Sequence, residues 1–231
     1  PLHYKLRYIL NIPTPTTASL SFGTSVHNAL RDFYQLHSQK KTVSKNILFE
    51  LLSAHWLHAG YESKRHEEEM KKRGERYLSE YFDQQYKKST KIAALELPFV
   101  LPIGSKDHQV KIGGKIDRVD VLPDGKIEII DYKTGKMPSK KEIDTNLQLS
   151  MYALAASEIQ GAPLGKNPED IILTLHYFDT NMSLSTSRSK AQLEREKIAI
   201  LSVARAIEQS DFLCSGSQLC NRCEYSMYCG I

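Results

Sequence analysis

Two runs of largely alternating apolar residues, 109–121 and 126–133, flank Pro123-Asp124-Gly125. Nothing else in the chain restricts its fold as tightly, because such a pattern fixes both a strand pairing and the side chains that share a face. Pro suits the first position of a type I turn and Gly the left-handed position after it, so residues 123–125 read as a three-residue hairpin loop. Leu122 then pairs with Lys126, and Asp117 stands across from Asp131 on the same face, with Cβ atoms roughly 5 Å apart. The same register sets Lys115 opposite Lys133, which shares the face of Asp131. Facing carboxylates destabilise a sheet unless a positive group sits between them, most simply a divalent metal ion. Two carboxylates and a lysine suit phosphodiester hydrolysis: a bound Mg²⁺ or Mn²⁺ polarises the phosphate and acidifies a water, which the lysine orients or stabilises. A slip of one residue would turn one aspartate to the other face. Spacing alone also fits a solvent-facing hairpin with scattered charges.

The rest of the chain gives this hairpin a setting. Phe22, Val26, Leu30 and Phe33 recur at helical spacing, giving a helix over 24–38. Ser44 caps a second helix to about residue 59 that carries Leu48, Leu51, Leu52 and Trp56. Residues 63–88 form a long charged helix with a thin seam at Met70, Tyr77, Tyr81 and Phe82; most of its charges are solvated. Strands follow at 92–101, 109–121, 126–133, 170–178 and 182–187. Between the third and fourth, Ser139 to Glu142 is a capping box that opens a helix with Leu147, Met151 and Leu154 as its buried stripe. On that helix Gln148 and Tyr152 stack four residues apart. The expected fold class is α/β: a central mixed β-sheet flanked by helices, with a helical N-terminal region and a cysteine-rich C-terminal tail. A chain of 231 residues holds one substantial core. We therefore expect a single domain, with a helical region at 1–90, a catalytic sheet and helix at 91–188, and a C-terminal helix and tail at 189–231.

Composition adds little. A net charge of +4 is compatible with a nucleic-acid partner and with none. No apolar run approaches the ~20 residues that cross a membrane, and no signal peptide is visible, so a cytoplasmic protein without membrane contact is expected. The chain starts at Pro1 rather than Met, which suggests a piece of something longer.

Gly114-Lys115-Ile116-Asp117-Arg118, then Asp131-Tyr132-Lys133-Thr134-Gly135, then Gln148 with Tyr152, resemble the signature of the RecB-type branch of the PD-(D/E)XK nucleases, whose fold is restriction-endonuclease-like. The resemblance implies that Asp117 and Asp131 ligate Mg²⁺ or Mn²⁺, that the backbone carbonyl of Tyr132 adds a ligand, and that Lys133 is catalytic. Gln148 and Tyr152 would line the active site and position the strand. A lone histidine such as His27 is ordinarily a packing residue. Here Gly23 to His27 is similar to the G-x-x-x-H element of the family, which implies a further metal ligand and some preference for Mn²⁺. Glu96, between Leu95 and Leu97, faces either solvent or the metal.

All four cysteines fall in the tail, at Cys214, Cys220, Cys223 and Cys229. Their spacing alone suits zinc, an iron–sulfur cluster or disulfides, the last rare in a reducing compartment. The trio of Cys220, Cys223 and Cys229 is similar to the C-terminal part of a 4Fe–4S clamp in AddB-type and CRISPR-adaptation exonucleases. There the fourth cysteine precedes an N-terminal proline, a place that corresponds to the position before Pro1. Cys214 would then be a spare or a substitute, and the cluster structural.

The resemblance implies a metal-dependent deoxyribonuclease, an exonuclease acting on single-stranded or duplex DNA ends in repair or recombination. It is closest to the C-terminal nuclease domain of UvrD/RecB-type helicases. No Walker-type phosphate loop is present, so a helicase motor would stand elsewhere, in cis or in trans. Two other readings stay open: a catalytically silent DNA-binding or scaffold module with a structural iron–sulfur or zinc centre, and a zinc-binding interaction module.

Overall fold

The structure is a computed structural model that describes residues 2–87, 89–106, 108–214, 216, 220 and 223–228. A three-residue turn α1 (Leu2–Tyr4) runs into a π-helical segment (Lys5–Ile9). Then come α2 (Ala18–Ser38), α3 (Lys45–Ala54), α4 (Lys64–Gln84), β1 (Lys91–Ser105), β2 (His108–Val121) and β3 (Ile127–Lys133). The chain continues through α5 (Lys140–Asp144), α6 (Leu147–Glu158), β4 (Ile171–Tyr177), β5 (Met182–Thr186) and α7 (Lys190–Glu208). Sheet order is β1-β2-β3-β4-β5, parallel between β3 and β4 and antiparallel elsewhere. This is the expected α/β architecture of a mixed sheet with flanking helices.

Alternation along β3 divides the interior into two cores. Ile127 and Ile129 pack with Leu149, Leu154 and Leu193 of α6 and α7. Ile130 and Tyr132 pack on the other face with Phe22, Val26, Leu30, Phe33, Leu48, Tyr77 and Tyr81. The α2 seam is therefore the one its spacing predicts, although the helix starts earlier, at a Thr17 cap that accepts from Leu20 N. In α4 the interior takes Tyr77 and Tyr81, while Met70 and Phe82 are only half-buried. At Gly74 a Cβ would meet Leu52 at 3.2 Å and Phe22 at 3.3 Å, so α4 approaches α2 and α3 where it has no side chain.

Three local expectations need correction. Residues 139–158 are two helices, because Asn146 breaks the run and caps α6 through Leu149 N (3.0 Å). The new start changes the phase: Leu147 is 51% exposed, and Leu149, Tyr152 and Ala153 take the interior with Leu154. The second helix ends at Ala54, so Trp56 is buried from the following loop. The long helix closes at Gln84.

The hairpin has the predicted register. Leu122 N donates to Lys126 O (2.9 Å) and Gly125 N to Leu122 O (3.0 Å), with Gly125 at φ 85°. Pairs run from Val121↔Ile127 to Arg118↔Ile130 and stop there. Beyond that point β3 stays paired with β4 to Lys133↔Tyr177. Lys115 therefore does not face Lys133; it lies opposite Pro98 of β1 and ion-pairs with Glu96.

Candidate active site

The site lies where β2 leaves β3. A β-strand N–H with no ladder partner is costly to bury, and Tyr132 N finds a substitute acceptor in Asp117 Oδ2 at 2.9 Å. The same oxygen is 3.3 Å from His27 Nδ1, which α2 brings across the sheet face. Glu96 completes a trio: ligand atoms of His27, Glu96 and Asp117 all lie within 4.8 Å of one another. Its backbone sits at φ 49°, in the left-handed region, a conformation that costs a non-glycine residue about 1–2 kcal/mol. A pocket of about 310 Å³, lined by Gly23, Thr24, His27, Glu96, Lys115 and Asp117, opens over the trio.

Asp131 is the second part of the site and is only 2% exposed. Gln148 Nε2 donates to its Oδ1 at 3.0 Å, and Tyr152 Oη lies 2.9 Å from the same atom. Gln148 also donates to Tyr152 Oη (2.8 Å) and accepts from Lys133 Nζ (2.8 Å). Lys133 Nζ stands 2.5 Å from Asp131 Oδ2, an oxygen that is otherwise without a well-aligned hydrogen bond. The Asn146 cap fixes the start of α6, and so the place of Gln148 on its first turn.

The electrostatics suit a cation. Burial raises the Asp131 pKa, Lys133 pulls it back, and the charge of Asp117 pushes it up again, leaving it above the ordinary carboxylate value. Burial alone would lower the His27 pKa. The hydrogen bond to Asp117, the charges of Asp117 and Asp131, and a backbone contact with Tyr132 outweigh it and hold the imidazole above its usual value. The charges of Asp117 and Asp131 thus both favour a cation beside His27, while the rise at Asp131 comes first from burial.

Carboxylates, one imidazole and a nearby backbone carbonyl form the oxygen-rich donor set of Mg²⁺ or Mn²⁺. These residues fit such an ion, with Asp131 Oδ2 held by the Lys133 ammonium alone. The sequence-derived residues are thus gathered in two adjoining groups: His27, Asp117 and Glu96, and Asp131, Lys133, Gln148 and Tyr152. Asp131 is outside the close trio, and its Oδ1 is engaged by Gln148 and Tyr152 of α6.

The buried set behind the site escaped sequence reading. Arg118 Nε donates to Asp120 Oδ1 (2.7 Å), its Nη2 pairs with Asp120 Oδ2, and its Nη1 donates to Tyr81 Oη (3.2 Å) and Tyr132 Oη (3.0 Å). The signal was present, since residues 118 and 120 share a strand face. A larger hollow of about 900 Å³ lies beside this set, near Arg118 and His176, away from the metal-ligand trio.

At the other end, His3 Nε2 is 3.2 Å from Glu224 Oε1, and Tyr225 Oη donates to Ile12 O (2.9 Å), so the N-terminal segment meets the tail. Cys223 N donates to Cys220 O (3.1 Å), which brings the two cysteines near each other. Ligand atoms of His3, Cys223 and Glu224 also lie within 4.8 Å of one another. Cys214 is exposed. Cys229 and Pro1 lie outside the described residues.

A profile described as the PD-(D/E)XK nuclease superfamily matches residues 1–230. The chain belongs to that superfamily. Membership points to metal-dependent nuclease chemistry as the reading to test. Uncharacterized proteins of Rickettsia are similar over parts of the chain. One from Rickettsia bellii is 25% identical over 130 residues, 54% of this chain and 15% of its own length. One from Rickettsia typhi is 26% identical over 140 residues, 61% of this chain and 13% of its own length. The chain thus spans less than a sixth of these curated relatives. The crystal structure of SSO0001 aligns with 99% of this chain and 93% of its own at 16% identity and a TM-score of 0.41, a likeness too loose to add to the assignment. Among the described residues no helix is long and apolar enough to cross a membrane.

Proposed function

We propose that this nuclease-superfamily chain is a Mg²⁺- or Mn²⁺-dependent deoxyribonuclease of the RecB-like branch, an exonuclease working on DNA ends. The observation that carries the reading is the gathering of His27, Asp117 and Glu96 beside the Asp131–Lys133–Gln148–Tyr152 network. His27, Asp117, Asp131 and the Tyr132 carbonyl would hold the ion, with Glu96 as an added carboxylate. When bound, the ion polarises the scissile phosphate and makes a nucleophile of water near neutral pH. Asp117 and Asp131 supply the negative charge that holds it. The Lys133 ammonium, fixed between Asp131 and Gln148, faces the developing charge and orients the attacking water. Gln148 and Tyr152 hold Asp131 Oδ1 still and border the path of the strand. Because the chain carries no Walker-type phosphate loop, strand separation would come from a helicase motor in cis or in trans. Repair or recombination in the cytoplasm is the setting this implies.

For the tail we assign Cys220, Cys223 and Cys229 as ligands of a structural 4Fe–4S cluster, with tetrahedral zinc as the alternative and Cys214 as a spare thiol. The hydrogen bond from Cys223 N to Cys220 O, and the contact of His3 with Glu224 beside it, support a centre that fastens the two segments together. Brown protein with broad visible absorption supports iron–sulfur; colourless protein with stoichiometric zinc overturns it.

The test of the main reading uses labelled single- and double-stranded DNA with Mn²⁺, Mg²⁺ or EDTA. Asp117→Ala and Lys133→Ala should each abolish cleavage while circular dichroism and most DNA binding persist. Both variants cutting at the wild-type rate would overturn the site. Wild-type protein that binds DNA without cutting it under any metal would favour the scaffold reading.

A further inference from the structure

Tyr132 connects the two sides of the sheet. Its N–H donates to Asp117 Oδ2, its backbone contacts the His27 ring, and it follows Asp131 in the chain. One peptide unit thus meets three of the proposed metal-binding side chains or their neighbours. Its side chain points the opposite way, into the core under α2 and α4. There the ring stacks near Phe178 (centroids 5.9 Å apart) and meets Tyr81 edge-on at 5.8 Å and His27 at 6.1 Å. The phenol takes a hydrogen bond from Arg118 Nη1 at 3.0 Å and lies 3.1 Å from Tyr81 Oη.

Arg118 is itself held by several partners. Asp120 takes two of its donors, and its guanidinium carbon sits 3.8 Å from the Tyr34 ring centroid. Tyr34 and Tyr81 close the circuit with a 2.6 Å hydroxyl contact. The placement along the strands matters as much as the contacts. Arg118↔Ile130 is the last backbone pair of the β2–β3 ladder. One residue further on, no backbone-to-backbone pair joins Asp117 to Asp131 or Tyr132, and side-chain contacts take over. The Arg118–Tyr132 bond spans the two strands where the ladder stops. Core packing alone gives no reason for a buried ion pair, since apolar residues of similar volume would fill the space at equal or better stability.

We infer that Arg118, through the Tyr132 phenol, is a positioning residue of the metal site, holding the Asp117, Asp131 and Tyr132 donors at binding separation. The inference rests on the nuclease reading above and adds to it a support on the far face of the sheet. Groups that orient metal ligands from behind typically change metal affinity about 10–100-fold when removed.

The direct test is Mn²⁺ binding by the chain without DNA, followed by titration calorimetry, beside the urea midpoint and the Mn²⁺ dependence of cleavage. Tyr132→Phe removes one hydroxyl and keeps the ring. It should weaken Mn²⁺ binding about tenfold or more, with the half-saturating Mn²⁺ for cleavage rising in step. Arg118→Lys keeps the charge but not the fork that reaches both Asp120 and the phenol, and should do the same if Tyr132→Phe fails to fold. Folded variants that bind Mn²⁺ as wild type does, with only a lower urea midpoint, overturn the inference and reduce the set to core structure. Asp117→Ala run in parallel separates the two levels. Its loss of Mn²⁺ binding with no effect of Tyr132→Phe or Arg118→Lys rejects the positioning role alone, whereas a wild-type chain that binds no Mn²⁺ rejects both.

Discussion

Removing the Arg118 side chain should be among the most damaging single changes in this protein, and the contacts say by how much. Asp120 is 4% exposed, and both of its oxygens are met by Arg118. Arg118→Met strands that carboxylate in the interior, which costs about 3–5 kcal/mol. The variant also loses a charged donor to two phenols and a desolvated contact with the Tyr34 ring, the latter worth about 2 kcal/mol. Against a total stability of about 5–15 kcal/mol, the single variant should be close to unfolding. Arg118→Met combined with Asp120→Leu removes both charges, and such replacements are neutral or stabilising in other cores. The phenols of Tyr34, Tyr81 and Tyr132 still satisfy one another. The double variant should therefore lie within about 2 kcal/mol of wild type, far from the sum of the two single losses. Urea unfolding of wild type, both singles and the double measures the cycle. A cost below about 1 kcal/mol for Arg118→Met, or a double equal to the sum of the singles, would refute the burial argument. The recovered double variant should still bind Mn²⁺ poorly, separating stability from positioning.

The remaining predictions are narrower. His176 is 1% exposed, and burial, then the charge of Arg118, lowers its pKa from 6.5 to about 4. Its unfolded value is the higher one, so the unfolded chain takes the proton first. The contribution is complete above about pH 6.5 and is lost as pH falls toward 4, at up to about 1.4 kcal/mol per pH unit. His176→Gln should flatten the fall in urea midpoint between pH 7 and 5; an unchanged slope would reject this. Asn146→Ala should cost about 1 kcal/mol by uncapping α6 and lower the cleavage rate through the displaced Gln148. Full activity in that variant would show that Gln148 does not depend on the cap. Asp117→Ala and Lys133→Ala should be inactive but folded, and EDTA should stop wild-type cleavage, both read with labelled DNA.

Much of the site was legible because it is local. Pro123, Asp124 and Gly125 specify a turn, the turn sets a register, and the register puts Asp117 and Asp131 at the same level of neighbouring strands. Strand and helix periodicity pair Asp131 with Lys133 and Gln148 with Tyr152, whereas bringing the two pairs together needed the family resemblance. The seam of Phe22, Val26, Leu30 and Phe33 likewise needed only a helical period. The split at Asn146 was harder to see, because a capping side chain and an ordinary exposed asparagine look alike until its partner, Leu149 N, is placed.

Sequence by itself determined the hairpin, the main helix faces and the two facing aspartates, all consequences of alternation, helical period and turn preferences between near neighbours. Tertiary structure decided where the β2–β3 ladder ends, and so that Asp117 satisfies the Tyr132 N–H and Lys115 turns to Glu96. It also decided that α2 carries His27 onto Asp117 and that Arg118 and Asp120 become a buried pair. Each of these turns on contacts between segments far apart in the chain, and no local preference encodes which buried polar group another will meet.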